Sequence, residues 1–301
     1  MSARDPQGLN PWVDARGGEP YPLLLPNPRT SVDERTVRFL GPAVRVRRGP
    51  RGGFLLVAAV LTAALVLGGF WWMSTSPVFG PPSGLEEAEA PLGAPPPVPA
   101  GGGAFAFSSI QPDGSGPVTY SPCRPIHYVV RADGGPANAD QLIHTAVESI
   151  SAATGLQFVD DGATQEAPSA DRKAYQPDAY GRRWAPVLVT WSTPEETPEL
   201  DGDVAGIGGS AAVTRAGRSV YVTGSITLDG GDIGALAAVP ATQPTAFGIV
   251  VHEFAHLVGL DHIDDPTQLM YPSTSPTVSQ LGSGDLAGLA ALGSGACAPH
   301  V

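Results

Sequence analysis

One long hydrophobic segment stands out along the chain. Residues 54–72 read FLLVAAVLTAALVLGGFWW, a run of 19 residues without a charged side chain. Because a helix of about 20 residues crosses the roughly 30 Å hydrocarbon core of a bilayer, the run predicts a transmembrane helix over residues 54–73. Arginines precede it and glutamates follow it: Arg45, Arg47, Arg48 and Arg51 on one side, Glu86, Glu87 and Glu89 on the other. This asymmetry predicts a cytoplasmic N-terminus and an extracytoplasmic C-terminal part.

A cleaved signal peptide is the alternative to this anchor. Residues 88–90 read Ala-Glu-Ala, which has the small-x-small form of a cleavage site, and cleavage there would release the protein as a secreted one. That site lies well beyond the hydrophobic run, and the run is longer than the roughly 7 to 15 residues typical of signal peptides. We therefore favour the membrane anchor.

Beyond residue 118 the pattern alternates between helix and strand. Apolar residues at helical spacing alternate with runs rich in β-branched and aromatic residues. The predicted helices span residues 140–154, 245–260 and 281–292. The predicted strands span residues 125–131, 187–191, 202–213 and 220–228, and the glycines of residues 202–213 favour the edge of a sheet. The polar stretch between residues 160 and 183 is typical of a surface loop. An α+β domain over residues 119–301 is the expected fold.

The segments that flank the hydrophobic run have the composition of disordered chain. Residues 1–53 contain nine Arg against five Asp and Glu among scattered Pro and Gly, which predicts a disordered cytoplasmic tail. Residues 74–118 include PPSGLEEAEAPLGAPPPVPAGGG, a composition typical of a linker. A flexible chain of that length would place the domain roughly 35 to 40 Å from the bilayer.

Charge excludes one class of function. The net charge is +4 over residues 1–53 and −16 over the rest of the chain. Since nucleic-acid binding depends on clustered Lys and Arg, so acidic a body argues against a nucleic-acid partner.

The chain has two cysteines, Cys123 and Cys297, both C-terminal to the hydrophobic run. If the run places them outside the cytoplasm, an even pair in an oxidising compartment is more often a disulfide than two free thiols. We therefore treat the pair as a candidate disulfide.

The residues with the clearest chemistry are those from 252 to 262, which read HEFAHLVGLDH. On a helix, His252 and His256 lie one turn apart and can reach one metal ion, while Glu253 lies beside them. Gly259 can end the helix in the left-handed conformation, so that the chain turns back and His262 supplies a third ligand. Three histidines leave a fourth position of a tetrahedral zinc open, as in catalytic zinc sites.

A methionine follows at residue 270 in the sequence QLMYP, where a turn beneath the ligands could give the metal site an apolar floor. The string HExxHxxGxxH with a downstream methionine turn is the signature of the metzincins. With HEFAHLVGLDH and LMYP, the sequence resembles the matrixin branch of that clan, especially small bacterial members. The resemblance covers about residues 120–301 and is most specific over residues 252–272.

The resemblance implies a fold and a set of roles. The fold would be a metzincin-like catalytic domain with a twisted, mixed, largely parallel sheet, an active-site helix, the methionine turn and a C-terminal helix. By this likeness His252, His256 and His262 would bind one catalytic zinc, Glu253 would be the general base, and Gly259 and Met270 would support the site. The implied function is that of an endopeptidase that cleaves protein or peptide substrates through a zinc-activated water, with the substrate extended along the edge strand near residues 208–213.

Two other functions remain open at this stage. A zinc-containing module could bind a peptide or a cell-envelope ligand without cleaving it, although binding alone does not require Glu253. A zinc hydrolase could instead act on a non-protein amide. Calcium is a further candidate ligand, because four aspartates lie among glycines, but they form no ordered ligand loop. These aspartates are Asp201, Asp203, Asp229 and Asp232. The sequence gives no sign of an oligomeric state.

Overall fold

A computed structural model describes residue 81, residues 83–98 and residues 102–301. The predicted cytoplasmic tail, residues 1–53, and the predicted transmembrane helix, residues 54–73, lie outside these residues. Within the described part of the chain, no helix combines the length and hydrophobicity needed to span a bilayer.

A six-stranded mixed sheet forms the centre of the domain. Its strands are β2 (Thr119–Tyr120), β3 (Ile126–Arg131), β4 (Phe158–Ala163), β5 (Val187–Ser192), β6 (Gly206–Arg215) and β7 (Arg218–Asp229). Strands β4, β3, β5 and β7 lie side by side and pair in parallel, and β2 is parallel to the start of β7. Strand β6 pairs with β7 in the antiparallel direction and forms an edge. The sheet is therefore largely parallel, as the family resemblance implies.

Five helices accompany the sheet in the described part of the chain. They are α1 (Ala139–Thr154), α2 (Pro177–Tyr180), α3 (Gly230–Ala237), α4 (Gln243–Val258) and α5 (Ser283–Gly293). Helix α1 buries an apolar stripe at helical spacing, including Ile143, Val147 and Ile150. Helix α4 is different, because every residue from 248 to 258 is buried. It lies in the main apolar core, together with residues of α1, the sheet and α5.

The polar stretch between residues 160 and 183 is more ordered than a surface loop, so that prediction was wrong in part. Strand β4 extends to Ala163, and α2 occupies residues 177–180. The Glu166 carboxylate accepts hydrogen bonds from Arg172 Nε at 2.9 Å and from Tyr180 Oη at 2.5 Å. These bonds connect the residues between β4 and α2. The sequence hides β4 because most of its side chains are exposed at the sheet edge, so no apolar alternation marks it.

The described residues between 83 and 118, which we expect to be a linker, lie against the domain. The buried Glu87 carboxylate is 3.0 Å from Arg124 Nη2 and accepts a hydrogen bond from the Ala298 N–H at 2.5 Å. Further along, the Gln111 side chain donates to the Ser219 carbonyl at 2.8 Å. Strand β1 (Ala106–Phe107) pairs with β8 (Leu260–Asp261) in the antiparallel direction. The domain boundary at residue 119 stays a prediction, and these contacts show which parts of the preceding segment touch the domain.

Cys123 and Cys297 form a disulfide, with their Cα atoms 5.3 Å apart. The bond joins residues 174 positions apart and lies beside the Glu87 contacts, near the C-terminal end of the chain. It therefore closes nearly the whole domain into one covalent loop.

We expect this disulfide to contribute substantially to stability, because closing so long a loop restricts the unfolded chain. The chain-entropy estimate for such a loop is about 5 kcal/mol, and real bridges usually give less. A reductant should therefore lower the melting temperature of the oxidised protein by roughly 5 to 15 °C. The Cys123→Ser, Cys297→Ser double variant serves as the control, since its melting temperature should not respond to reductant. Free thiols at both positions in the native, unreduced protein would contradict the assignment.

Candidate metal centre

Three histidines from α4 and the loop after it meet in the interior. His252 and His256 lie one turn apart on α4, with ring centroids 4.6 Å apart, and both are buried. The helix ends at Gly259, whose φ of 118° lies in the left-handed region that favours glycine. The chain then runs through β8 and brings the ring of His262 to within 4.7 Å of that of His256. The structure thus brings together the three residues that the sequence proposes as ligands.

The ring nitrogens converge on one point. His262 Nε2 lies 3.2 Å from His252 Nε2 and 3.1 Å from His256 Nε2. The opposite nitrogens face backbone carbonyls: His252 Nδ1 is 2.7 Å from the Leu269 oxygen, and His256 Nδ1 is 2.8 Å from the Leu260 oxygen. Because a carbonyl oxygen only accepts, each of these Nδ1 atoms carries the proton. The Nε2 atoms of His252 and His256 therefore present lone pairs towards the point shared with His262.

This geometry fits a zinc ion. Lone pairs that converge without a proton or a cation between them repel each other, so the cluster calls for a positive charge. When ligands lie about 2.0 to 2.1 Å from a tetrahedral zinc, neighbouring nitrogen atoms are about 3.3 to 3.4 Å apart. The observed separations of 3.1 and 3.2 Å are close to that value. Among the described residues, these three histidines form a group that could bind a metal ion.

Burial also keeps the imidazoles in the form that metals require. Desolvation lowers the pKa of His252 well below its ordinary value, and it lowers the pKa of His256 as well. The pKa of His262 falls to about 3, chiefly through burial and then through the proximity of His256. Neutral imidazole is the ligand form of histidine, so the site is prepared for a metal at neutral pH without the loss of protons.

Glu253 lies beside the histidines on α4, and its side chain is enclosed. The residue is fully buried, and among the described residues neither carboxylate oxygen has a hydrogen-bond partner of ordinary geometry. Burial raises the pKa of Glu253 well above its usual range, against a smaller opposing effect of the Gly208 N–H. Glu253 is therefore a buried carboxyl group that directly follows His252 on α4 and lies outside the group of three converging ligands.

Two glycines of β6 make room for this carboxylate. A Cβ atom at Gly206 would lie 2.7 Å from Glu253 Cγ, and one at Gly208 would lie 2.3 Å from the Glu253 carbonyl oxygen. Side chains at these positions would force α4 away from the sheet. These glycines, which in the sequence favour the edge of a sheet, thus also allow close packing of β6 against the helix that carries His252 and Glu253.

Backbone hydrogen bonds to Ile263 and Asp285 hold the methionine turn in place. Met270 is buried, and its carbonyl accepts a hydrogen bond from the Ile263 N–H at 3.1 Å. The buried Asp285 carboxylate accepts from the Leu269 N–H at 2.7 Å and from the Gly282 N–H at 2.8 Å. Because the Leu269 carbonyl accepts from His252 Nδ1, Asp285 is linked to that histidine through the backbone of a single residue, Leu269. An acidic side chain in the first turn of a helix, which is the position of Asp285 in α5, is the local signal of a helix start.

Asp261 and Asp229 accept hydrogen bonds from nearby backbone N–H groups. Asp261 Oδ1 accepts a hydrogen bond from the His262 N–H at 2.8 Å, so it supports the third histidine through the backbone. Asp229 caps α3 by accepting from the Asp232 N–H. Among the described residues, the four aspartates considered for calcium do not form a group of three or more converging ligands.

A match to one known protein family agrees with this geometry. Residues 189–292 match the model of a peptidase family, the matrixins, and this range contains the three histidines and Met270. A search of curated proteins gave no match. Among solved structures, the chain is similar to archaemetzincin from Methanopyrus kandleri, with 16% identity and a TM-score of 0.35, over 54% of this chain and 92% of that chain. The family match confirms the metzincin-like resemblance and supports a zinc metallopeptidase domain.

The His262→Ala variant should bind zinc much more weakly than wild type, because it removes one of three converging nitrogens. We expect wild type to bind about one zinc per chain. Loss of a residue that only hydrogen-bonds a metal ligand lowers metal affinity by roughly 10- to 100-fold. Loss of the ligand itself should lower the zinc affinity of the variant by more than that. Competition with a chromophoric chelator measures this, and His144→Ala, on an exposed position of α1, is the matched control. Equal affinity in His262→Ala and wild type would show that His262 is not a ligand.

Proposed function

We propose that this protein is a membrane-anchored, extracytoplasmic zinc-dependent endopeptidase. The observation that carries the proposal is the convergence of three neutral imidazoles beside a buried carboxylate that does not join them as a ligand. A structural zinc site would use a fourth protein ligand, whereas three histidines leave one position for a water or substrate oxygen. The match to a peptidase family supports the same conclusion.

The chain's own residues have distinct tasks in this proposal. His252, His256 and His262 would hold the zinc, with two of them oriented by backbone carbonyls. Zinc in such a site supplies a Lewis acid that polarises a carbonyl oxygen and makes a coordinated water more acidic. Glu253 accepts the proton of the attacking water and later donates it to the nitrogen of the departing amine. Its raised pKa suits this task, because a group whose pKa lies nearer the working pH exchanges protons more readily.

The substrate would lie along β6. Among the described strands, β6 pairs only with β7, so its other edge can pair with an extended peptide. The start of β6 packs against α4 at Glu253, which would bring a peptide bound near residues 208–213 close to the metal centre. Backbone pairing of this kind selects for an extended protein or peptide substrate over a compact non-protein amide.

Replacing Glu253 with alanine separates an enzyme from a binding module. The three imidazoles remain, so zinc content should stay at wild-type level, while turnover of casein or a peptide library should fall by about 10²- to 10⁴-fold. Glu148→Ala, on an exposed position of α1, is the control for loss of a carboxylate. A chelator should abolish turnover of wild type, and added zinc should restore it.

The other outcomes of this experiment would contradict the proposal in different ways. Equal turnover in wild type and Glu253→Ala would assign the cleavage to another site or to a contaminant. A zinc-loaded wild type that binds peptides but cleaves none of them would identify a binding module.

The membrane anchor is a part of the proposal that rests on the sequence pattern of residues 54–73. With basic residues before this segment, the catalytic domain should face outwards. Protease added to intact cells should therefore remove the C-terminal domain and leave the N-terminal tail, detected by tags at the two ends. Lysed cells are the control, in which both ends should be degraded. A C-terminal domain that is protected in intact cells would reverse the orientation, and its release into the medium without protease would indicate a cleaved leader.

A further inference from the structure

Strand β1 lies on the loop that joins α4 to the third histidine. Its residues Ala106 and Phe107 are opposite Asp261 and Leu260 of β8. Immediately after β1, the Ser108 N–H donates to the Gly259 carbonyl at 2.9 Å, and the Ser108 hydroxyl donates to the Leu260 carbonyl at 2.7 Å. A segment that lies more than 140 residues away in sequence thus contacts the loop between two potential metal ligands.

The Leu260 carbonyl connects this segment to the metal centre. The same oxygen accepts the hydrogen bond from His256 Nδ1, at 2.8 Å. A carbonyl oxygen has two lone pairs, and here one is used by His256 and the other by Ser108. Since the position of this oxygen sets the direction of the His256 ring, the Ser108 hydroxyl influences where His256 Nε2 points.

Strand β1 is itself anchored to α5. The ring of Phe105 packs against Gly288 of α5, where a Cβ atom would lie only 3.1 Å from Phe105 Cγ. The Ser283 hydroxyl donates to the Gly102 carbonyl at 2.9 Å. The loop after Gly259 is therefore held on one side by a strand that is fixed to the C-terminal helix, and the Ser108 hydroxyl has a defined position.

We propose that Ser108 is a positioning residue of the metal centre: its hydroxyl holds the Leu260 carbonyl in place for His256. This inference rests on the proposed function, because it requires the three histidines to bind zinc. It also assigns a role at the site to the chain before residue 119, which the sequence pattern treats as a linker.

The expected effect is modest and specific. Outer partners that orient a metal ligand affect metal affinity more than they affect the fold. Ser108 acts through a carbonyl, and its single neutral hydrogen bond is partly exposed. Loss of the hydroxyl should therefore weaken zinc binding by roughly two- to tenfold. The melting temperature of the zinc-free protein should hardly change, because the Ser108 N–H bond and the β1–β8 pairing remain.

The test uses the full-length chain and three substitutions. Ser108→Ala removes the hydroxyl, and Ser108→Thr keeps a hydroxyl on a residue that suits an extended segment. Ser149→Ala is the matched control, since the Ser149 hydroxyl also donates to a carbonyl, that of Thr145 in α1 at 2.9 Å, far from the histidines in sequence. Zinc affinity is measured by chelator competition, the visible spectrum of the cobalt-substituted protein reports ligand geometry, and thermal unfolding without metal reports the fold.

The inference predicts weaker zinc binding and an altered cobalt spectrum in Ser108→Ala, with wild-type values in Ser108→Thr and Ser149→Ala. Wild-type affinity and spectrum in Ser108→Ala would overturn it while leaving the proposed function intact. A matching fall in the melting temperature of zinc-free Ser108→Ala would also overturn it, since the residue would then be purely structural. If wild type itself binds no zinc at the three histidines, both the inference and the proposed function fail.

Discussion

The organisation of this domain depends on one electrostatic requirement: three imidazoles, two of them buried and the third partly buried, present their Nε2 atoms to a common point. Backbone carbonyls of Leu269 and Leu260 hold the Nδ1 protons of His252 and His256, which leaves lone pairs facing inwards at separations of 3.1 and 3.2 Å from His262 Nε2. Such an arrangement is unfavourable without a cation and favourable with one. The two carbonyls belong to segments that follow α4, so the ligands are oriented only when the methionine turn and the loop after Gly259 are both folded.

The elements around the three histidines hold them in position and shield the Glu253 carboxylate from solvent. Helix α4 is buried throughout residues 248–258, and β6 can approach it because Gly206 and Gly208 lack side chains. Glu253 is thereby enclosed, and burial raises its pKa. Asp285 fixes the methionine turn from α5, and Ser108 contacts the loop on the other side of the ligands. A segment that precedes residue 119 and the C-terminal helix α5 therefore both contribute to one site.

The sequence predicts the local features of this site well and the distant ones poorly. Helix geometry predicts that His252 and His256 face the same way. The glycine after them predicts the turn that brings His262 back, and the structure has Gly259 at a φ of 118°. Helix α1 and the inner strands are also predictable, because burial gives α1 an apolar stripe at helical spacing and gives an inner strand such as β5 a continuous run of mostly apolar residues. Ser108 leaves no such trace, and the position of Asp285 in the first turn of α5 indicates a helix start without indicating its contact with Leu269. Each of the two acts through a backbone group of another segment. Strand β4 is similarly hidden, since an exposed edge strand needs no alternation of apolar residues.

X-ray absorption at the zinc edge of the purified, metal-loaded protein tests the central claim most directly, because it reports the atoms around the metal without reference to activity. The account predicts one zinc per chain with three imidazole nitrogens at about 2.0 Å and one further light atom, and no sulfur. In the His262→Ala variant, the spectrum should show two imidazole ligands in place of three. A wild-type spectrum with a sulfur ligand, or with fewer than three imidazoles, would contradict it.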